Sequence, residues 1–259
     1  MFFLKKIRNV LYRLISALIT LLMNRKKHVS HNGHDFYFSV VNPLTYYRAL
    51  SFKSKEPETL NWIESFEVNS VFWDVGANIG LYSIYAAKVS GGSVYAFEPS
   101  IFNLELLCRN INYNKVTSNI SVIPLPLFSS SCFENFRITD MSWGGAHSSF
   151  SEDVNQNGEK LNSIFEYNVC GISPTTLTTN FGCPAPDYVK IDVDGVEHLI
   201  LAGLVPILKN VKSVLVEVNE GFPLQKSQCD EILQSAGFFL ASRHVVDGEM
   251  FNEIWKRKD

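Results

Sequence analysis

No run of twenty consecutive apolar residues occurs in this 259-residue chain, so an uninterrupted membrane span is excluded. No CxxC pair occurs either, and the cysteines number five: Cys108, Cys132, Cys170, Cys183 and Cys229. An odd, unpaired set excludes a disulfide frame or a thiolate zinc site, and it reads as reduced structural thiols of a cytosolic protein. Histidine is dispersed, at His28, His31, His34, His147, His198 and His244, and no Ser-His-Asp or Cys-His pairing is legible. The first three are widely spaced on a polar segment and do not read as metal ligands. Repeats and low-complexity tracts are missing. Basic charge is scarce beyond residue 30. The first thirty residues hold seven Lys or Arg and no acid, which leaves the rest with 16 basic against 26 acidic residues, a net −10. So acidic a body lacks the basic face that phosphate tracking needs, which argues against a nucleic-acid partner. It suits a cationic ligand.

What is present is an ordinary globular balance, 46% hydrophobic and 19% charged residues, enough for a core of useful size. Residues 2–23 read as an amphipathic or apolar helix. Its uncharged run of ten, residues 14–23, is flanked by Lys5, Lys6, Arg8 and Arg13 before and by Arg25, Lys26 and Lys27 after. That run is too short to span a bilayer unless Arg13 is tolerated inside, and no small-residue cleavage site follows it. Three readings stay open: a helix lying on a membrane surface, a helix packed on its own domain or a second copy, and an anchor. Residues 1–30 are set apart as this basic N-terminal helix. Residues 31–70 form a brace or lid, with a strand at 34–41 and two short helices within 45–66.

From Val71 the pattern becomes strand, turn, helix, repeated. Apolar strands are expected at residues 71–74, 93–97, 120–128, 188–192 and 211–218, the first without alternation, as suits strands buried on both faces. The helices between them are expected from Leu81 to the Ser90-Gly91-Gly92 stop, from Ser100 to about Asn114, after residue 192 as far as Gly203, and over 227–236. Two last strands, 238–244 and 250–257, flank Asp247-Gly248, a hairpin turn signal. These predict an α/β fold, doubly wound on a mostly parallel sheet, in a domain over residues 71–259. Its polar, irregular stretch at 129–180 is the expected substrate-facing insertion.

Four local patterns carry chemistry. Asp74-Val75-Gly76-Ala77-Asn78-Ile79-Gly80 joins a strand to a helix, and its glycines let the backbone turn sharply and approach a ligand. It is not the dinucleotide fingerprint, because the third glycine counted from Gly76 would fall where Leu81 stands. Phe97-Glu98-Pro99 puts an acid at the end of the next strand, at about the spacing from which it reaches ribose hydroxyls. Lys190 and Asp192 are two apart on one strand and face the same way. Asp192 emerges at the carboxyl end, where open α/β sheets bind ligands, and Asp194 and Glu197 also suit the next helix N-terminus. Glu217 and Asn219 end the fifth strand and are either solvated or part of the site.

At these residues the sequence resembles the FkbM family of methyltransferases. The matching segments are Trp73 to Gly80, Ala96-Phe97-Glu98-Pro99, Asn110-Ile111 through Asn114, and Val189 to Glu197, with a weaker echo in Asn252-Glu253-Ile254-Trp255-Lys256. The resemblance implies a class I methyltransferase fold of seven strands that binds S-adenosyl-L-methionine. It places the methionine part on the turn formed by Asp74, Gly76, Ala77, Asn78 and Gly80, the ribose on Glu98 beside Pro99, and adenine near Leu127. It also implies O-methylation of a sugar, glycan or natural product. The family often has Glu where Asp194 stands and Leu-Asp-Asp where this chain has Leu177-Thr178-Thr179.

For the reaction, Asp192 is the expected central residue, with Lys190 orienting it or the acceptor. Two arrangements remain: a carboxylate working without metal and paired to Lys190, which is favoured, or Mg²⁺ on Asp192, Glu217 and Asn219. The rival functions are a nicotinamide-dependent oxidoreductase on the same kind of fold and a non-catalytic, membrane-attached cofactor-binding protein. The expected partner is a glycan or small-molecule acceptor. The expected place is the cytoplasm, with peripheral membrane contact through the N-terminal helix. The oligomeric state is left open.

Overall fold

A computed structural model describes residues 2–258; Met1 and Asp259, the outermost residues of the expected segments, lie outside the described residues. Helix α1 (Phe2–Met23) leads into strands β1 (Lys26–His31) and β2 (His34–Ser39), then helices α2 (Pro43–Ser51) and α3 (Pro57–Glu64). The sheet-forming units follow: β3 (Val71–Val75), α4 (Leu81–Val89), β4 (Ser93–Phe97), α5 (Ile101–Asn114) and β5 (Ile120–Ile123). The next segment holds β6 (Cys132–Ile138), β7 (Ser149–Phe150), β8 (Phe165–Gly171) and α6 (Pro174–Asn180). The chain closes with β9 (Tyr188–Ile191), α7 (Glu197–Leu208), β10 (Ser213–Asn219), α8 (Pro223–Ser235), β11 (Phe238–Asp247) and β12 (Met250–Arg257).

The central sheet has seven strands in the order β11-β12-β10-β9-β3-β4-β5. Strands β10, β9, β3, β4 and β5 run parallel, and β12 enters antiparallel between β10 and β11. This is the doubly wound α/β class that the strand–helix alternation predicts. Each face carries its own core. Ile84, Tyr85 and Ala86 of α4, Leu107 of α5 and Trp62 of α3 pack on one face. Ile200, Leu201 and Leu204 of α7 and Leu233 of α8 pack on the other, over Trp73, Val189 and Val216. The order of connection reverses between the parallel neighbours β3 and β9, so their carboxyl ends open onto the crevice where such sheets bind ligands.

The brace is tied down by polar clamps. Ser39 N–H donates to Asn110 Oδ1 at 2.7 Å and Tyr37 N–H to Asn114 Oδ1 at 3.0 Å, so two asparagines of α5 finish the free edge of β2. Phe36, Phe38, Phe52 and Tyr85 form an aromatic cluster beneath it.

Several boundaries differ from the sequence reading for local reasons. Strand β5 stops at Ile123 instead of running to 128, since Pro124 and Pro126 supply no ladder donors. Helix α7 runs through Gly203 to Leu208. A Cβ on Gly203 would lie 2.7 Å from Ser129 Cα, so this glycine permits close packing and does not end the helix. Helix α8 starts at Pro223, a proline at the first helical position. The 129–180 stretch is not irregular: β7, β6 and β8 pair into a three-stranded antiparallel sheet. Strand β1 was not expected, although Asn32 and Gly33, both at positive φ, turn it into β2.

Candidate active site

The backbone turn after β3 is set by close approach. Gly76 has φ +86°, and a Cβ there would sit 1.8 Å from the Asp192 carbonyl oxygen. Only glycine lets β3 and β9 meet at this point. The N–H groups of Gly76 and Ala77 both donate to the Phe97 carbonyl, at 3.1 and 2.9 Å, which locks the turn to β4. Gly80, at φ +84°, precedes α4, and a Cβ on it would strike Leu107 Cδ1 at 2.4 Å.

Glu98 sits at the end of β4 and is 5% exposed. Its Oε2 accepts the Asn78 N–H and its Oε1 the Ser100 N–H, each at 2.8 Å. Ser100 thus stands at the helix cap without its hydroxyl capping α5. A carboxylate has more acceptor sites than its protein donors fill here. Burial pushes the Glu98 pKa up to about 7, against the pull of those backbone donors and of the Asn103 side chain.

Two clefts open beside this turn. The first, of about 600 Å³, is lined by Gly76, Asn78, Glu98, Pro99, Leu127 and Asp192, with Phe136 and Phe150 from the inserted sheet. Its ionisable lining is Glu98, Asp192 and Asp194, all carboxylates. The second, of about 760 Å³, lies on the brace side and is lined by Arg48, Lys55, Glu56, Tyr82, Lys190 and Asp192. Gly76, Asn78 and Asp192 line both, so the clefts meet at these three residues.

At that junction Lys190 Nζ lies 2.5 Å from Asp192 Oδ2. Lys190 is 1% exposed, while Asp192 keeps 27% of its side chain open. Burial opposes the charge of Lys190, but Asp192, Glu56 and Asp74 outweigh it and raise the lysine pKa. Burial likewise works to raise Asp192, but Lys190, Lys55 and Arg48 hold it below the ordinary carboxylate range. The carboxylate is therefore ionised at neutral pH.

Not every expected residue reaches a cleft. Asp74 is 1% exposed and lines neither; Ser83 donates to its Oδ2, and Oδ1 has no protein partner among the described residues. Ala77 lines only the second cleft, and Gly80 neither. Asn219 is committed elsewhere: its Nδ2 donates to Gln156 O and Asn157 Oδ1, and its Oδ1 accepts the Gly221 N–H. Glu217 is buried, and its burial together with Asp192, Asp194 and Glu197 raises its pKa far above the usual range. Of the three oxygen ligands considered for Mg²⁺, Asn219 is thus held by the loop contacts and Asp192 by Lys190. Among the described residues no group of three or more His, Cys, Asp or Glu is placed to hold a metal ion. Glu197 accepts Gly195 N–H and the Gln225 amide, and Asp194 accepts the His147 N–H at 2.6 Å, so both fasten the loop after β9.

Residues that the sequence did not single out complete the site. Arg48 and Lys55 come from the brace, in helical or polar surroundings where a lone cation carries no signal. The Trp143-Gly144-Gly145 turn joins three elements: Arg48 Nε donates to Gly144 O at 2.9 Å, and Asn78 and Asn103 both donate to Gly145 O. Phe136 and Phe150 enter the first cleft only because the insertion folds as a sheet.

Residues 74–242 match the methyltransferase FkbM domain. The chain is 28% identical over 192 residues to the hexuronic acid methyltransferase AglP of Haloferax volcanii, covering 73% of each protein. It also resembles the precorrin-6y C5,15-methyltransferase of Geobacter metallireducens, with a TM-score of 0.47 and 16% identity over 79% of this chain and 87% of that one. The M. jannaschii TYW2 structure in complex with AdoMet gives a TM-score of 0.45 and 14% identity over 90% and 87%. With more than half of its length matched, from the end of β3 into the last hairpin, the chain belongs to the FkbM family of methyltransferases and depends on S-adenosylmethionine.

Proposed function

We propose that the protein methylates a hydroxyl of a sugar or glycan, with the cofactor in the first cleft and the acceptor in the second. The meeting of the two clefts at Gly76, Asn78 and Asp192 carries this reading. A lining whose ionisable groups are all carboxyls suits a sulfonium cation, and the apolar Leu127, Phe136 and Phe150 suit a purine. The remaining lone pairs of Glu98 would receive two ribose hydroxyls, and the Gly76-Ala77-Asn78 turn would take the methionine end. The sugar class of acceptor draws support from the relative that acts on hexuronic acid.

The cofactor, when bound, supplies an electrophilic methyl group. The chain's own part is alignment and proton acceptance. Asp192, at the junction, accepts a hydrogen bond from the acceptor hydroxyl and aims its oxygen across the boundary. A carboxylate held ionised by Lys190 is a weak base toward a free alcohol. As the C–O bond forms, the hydroxyl proton becomes strongly acidic, and a late transfer to Asp192 and then to solvent suffices. No step needs a metal.

Helix α1 supports a peripheral position on an anionic membrane. Val10, Leu11, Leu14 and Leu18 are each more than half exposed, and Lys5, Lys6, Arg8 and Arg13 accompany them without any acid. No described helix is long and apolar enough to cross a membrane.

The test is incubation with labelled S-adenosylmethionine and matched hexosides and hexuronides, followed by mass spectrometry and NMR of the product. An O-methyl sugar is expected. A protein that binds S-adenosylhomocysteine but transfers nothing to any sugar would be a binding protein or an enzyme for another acceptor.

A further inference from the structure

Resting on the reading that the two clefts take cofactor and acceptor, we infer that Arg48 and Lys55 form a subsite for a single ligand carboxylate. At the second cleft the acidic body turns cationic. Its lining holds Arg48, Lys55 and Lys190 against Glu56 and Asp192. Lys190 is paired with Asp192 at 2.5 Å, and Lys55 with Glu56 at 3.0 Å. Arg48 is left over. Its Nε is fixed by the Gly144 carbonyl at 2.9 Å, and its two terminal nitrogens have no protein partner among the described residues.

The guanidinium is also held in place from behind. Asn42 and Thr45 close a capping box at the start of α2, which fixes the helix that carries Arg48. Asn42 Nδ2 donates to Trp143 O at 2.9 Å, beside the carbonyl that Arg48 holds. A planar fork so anchored presents two parallel donors to a planar anion. The lining has three cations and two carboxylates, so one negative charge balances it. A phosphate dianion would add repulsion against Asp192 and Glu56, which favours a carboxylate. Lys55, about half exposed, can swing from Glu56 to share it.

Two ligands can bring that carboxylate: the amino-acid end of the cofactor, reaching past Gly76, or an acid-bearing sugar acceptor. Calorimetric titration separates them. Wild type, Arg48→Gln, Lys55→Gln and Arg48→Lys are titrated with S-adenosylhomocysteine and with methylthioadenosine, which lacks the amino-acid end. They are then titrated, saturated with S-adenosylhomocysteine, with methyl glucuronide and methyl glucoside. Arg48→Gln is expected to weaken one carboxylate-bearing ligand by about tenfold or more and leave its neutral counterpart within about twofold, with partial rescue in Arg48→Lys. Loss with S-adenosylhomocysteine assigns the subsite to the cofactor, and loss with the glucuronide assigns it to the acceptor. Equal losses for charged and neutral partners, or none, overturn the subsite and leave the proposed function standing. Wild type that binds no S-adenosylhomocysteine overturns the proposed function, and the subsite falls with it.

Discussion

Lys190 of β9 and Asp192, just past the carboxyl end of that strand, form an ion pair of 2.5 Å in which the lysine is buried and the carboxylate faces both clefts. The pair keeps the Asp192 carboxylate ionised without removing it from the clefts. Lys190→Met should therefore leave Asp192, Glu56 and Asp74 without their shared cation. The expected loss is about 3–5 kcal/mol of stability, the cost of breaking a buried pair, read as a lower midpoint in denaturant unfolding. A change within about 0.5 kcal/mol would mean that the lysine does not hold the cluster together.

Glu98 gives a pH signature. Its pKa in the free protein is about 7, raised by burial. If Glu98 holds the ribose as proposed, the ribose hydroxyls would donate to the ionised form, so binding would favour loss of the proton. Affinity for S-adenosylhomocysteine should fall as pH drops below about 7 and level off above it, with proton release on binding on the acid side. Calorimetry in buffers of different ionisation enthalpy measures both. Glu98→Ala should weaken binding by about 1–3 kcal/mol and flatten the profile. An affinity independent of pH in the wild type would remove Glu98 from the ribose.

Methyl transfer should persist in EDTA. Asn219 spends its amide on Gln156, Asn157 and Gly221, and Lys190 occupies the carboxylate that a divalent ion would need. Chelation that abolishes turnover, with recovery on added Mg²⁺, would show that these side chains rearrange around an ion.

Much of this arrangement is legible in the sequence because it depends on short local patterns. The glycine turn at Gly76, the acid at Glu98 and the Lys190–Asp192 pair all follow from strand ends whose side-chain direction is fixed by a period of two. What escapes is whatever depends on distant segments meeting. Arg48 gains its meaning only when Gly144, 96 residues away, accepts from it. Gly203 resembles a helix stop until residues 128–129 are seen pressed against it. Asp74 looks like a ligand-facing acid, yet it points to Ser83 and the Lys190 side of the sheet, because its strand neighbour in register is Lys190 itself.

Deleting residues 1–28 should release the protein from vesicles rich in anionic lipid while leaving S-adenosylhomocysteine affinity unchanged. The exposed Leu14, Leu18 and Leu21 would supply apolar contact, and Lys5, Lys6, Arg8 and Arg13 the attraction. Flotation reads this directly. Full-length protein that never rises with such vesicles would point to a protein partner for α1.

The most direct measurement compares binding with turnover in Asp192→Asn. The substitution keeps the shape at the cleft junction and removes the carboxylate proposed to accept the hydroxyl proton. S-adenosylhomocysteine affinity should stay within about threefold of wild type, while the rate of methyl transfer to the sugar acceptor falls by about 10²–10⁴. Wild-type turnover in this variant would contradict the account.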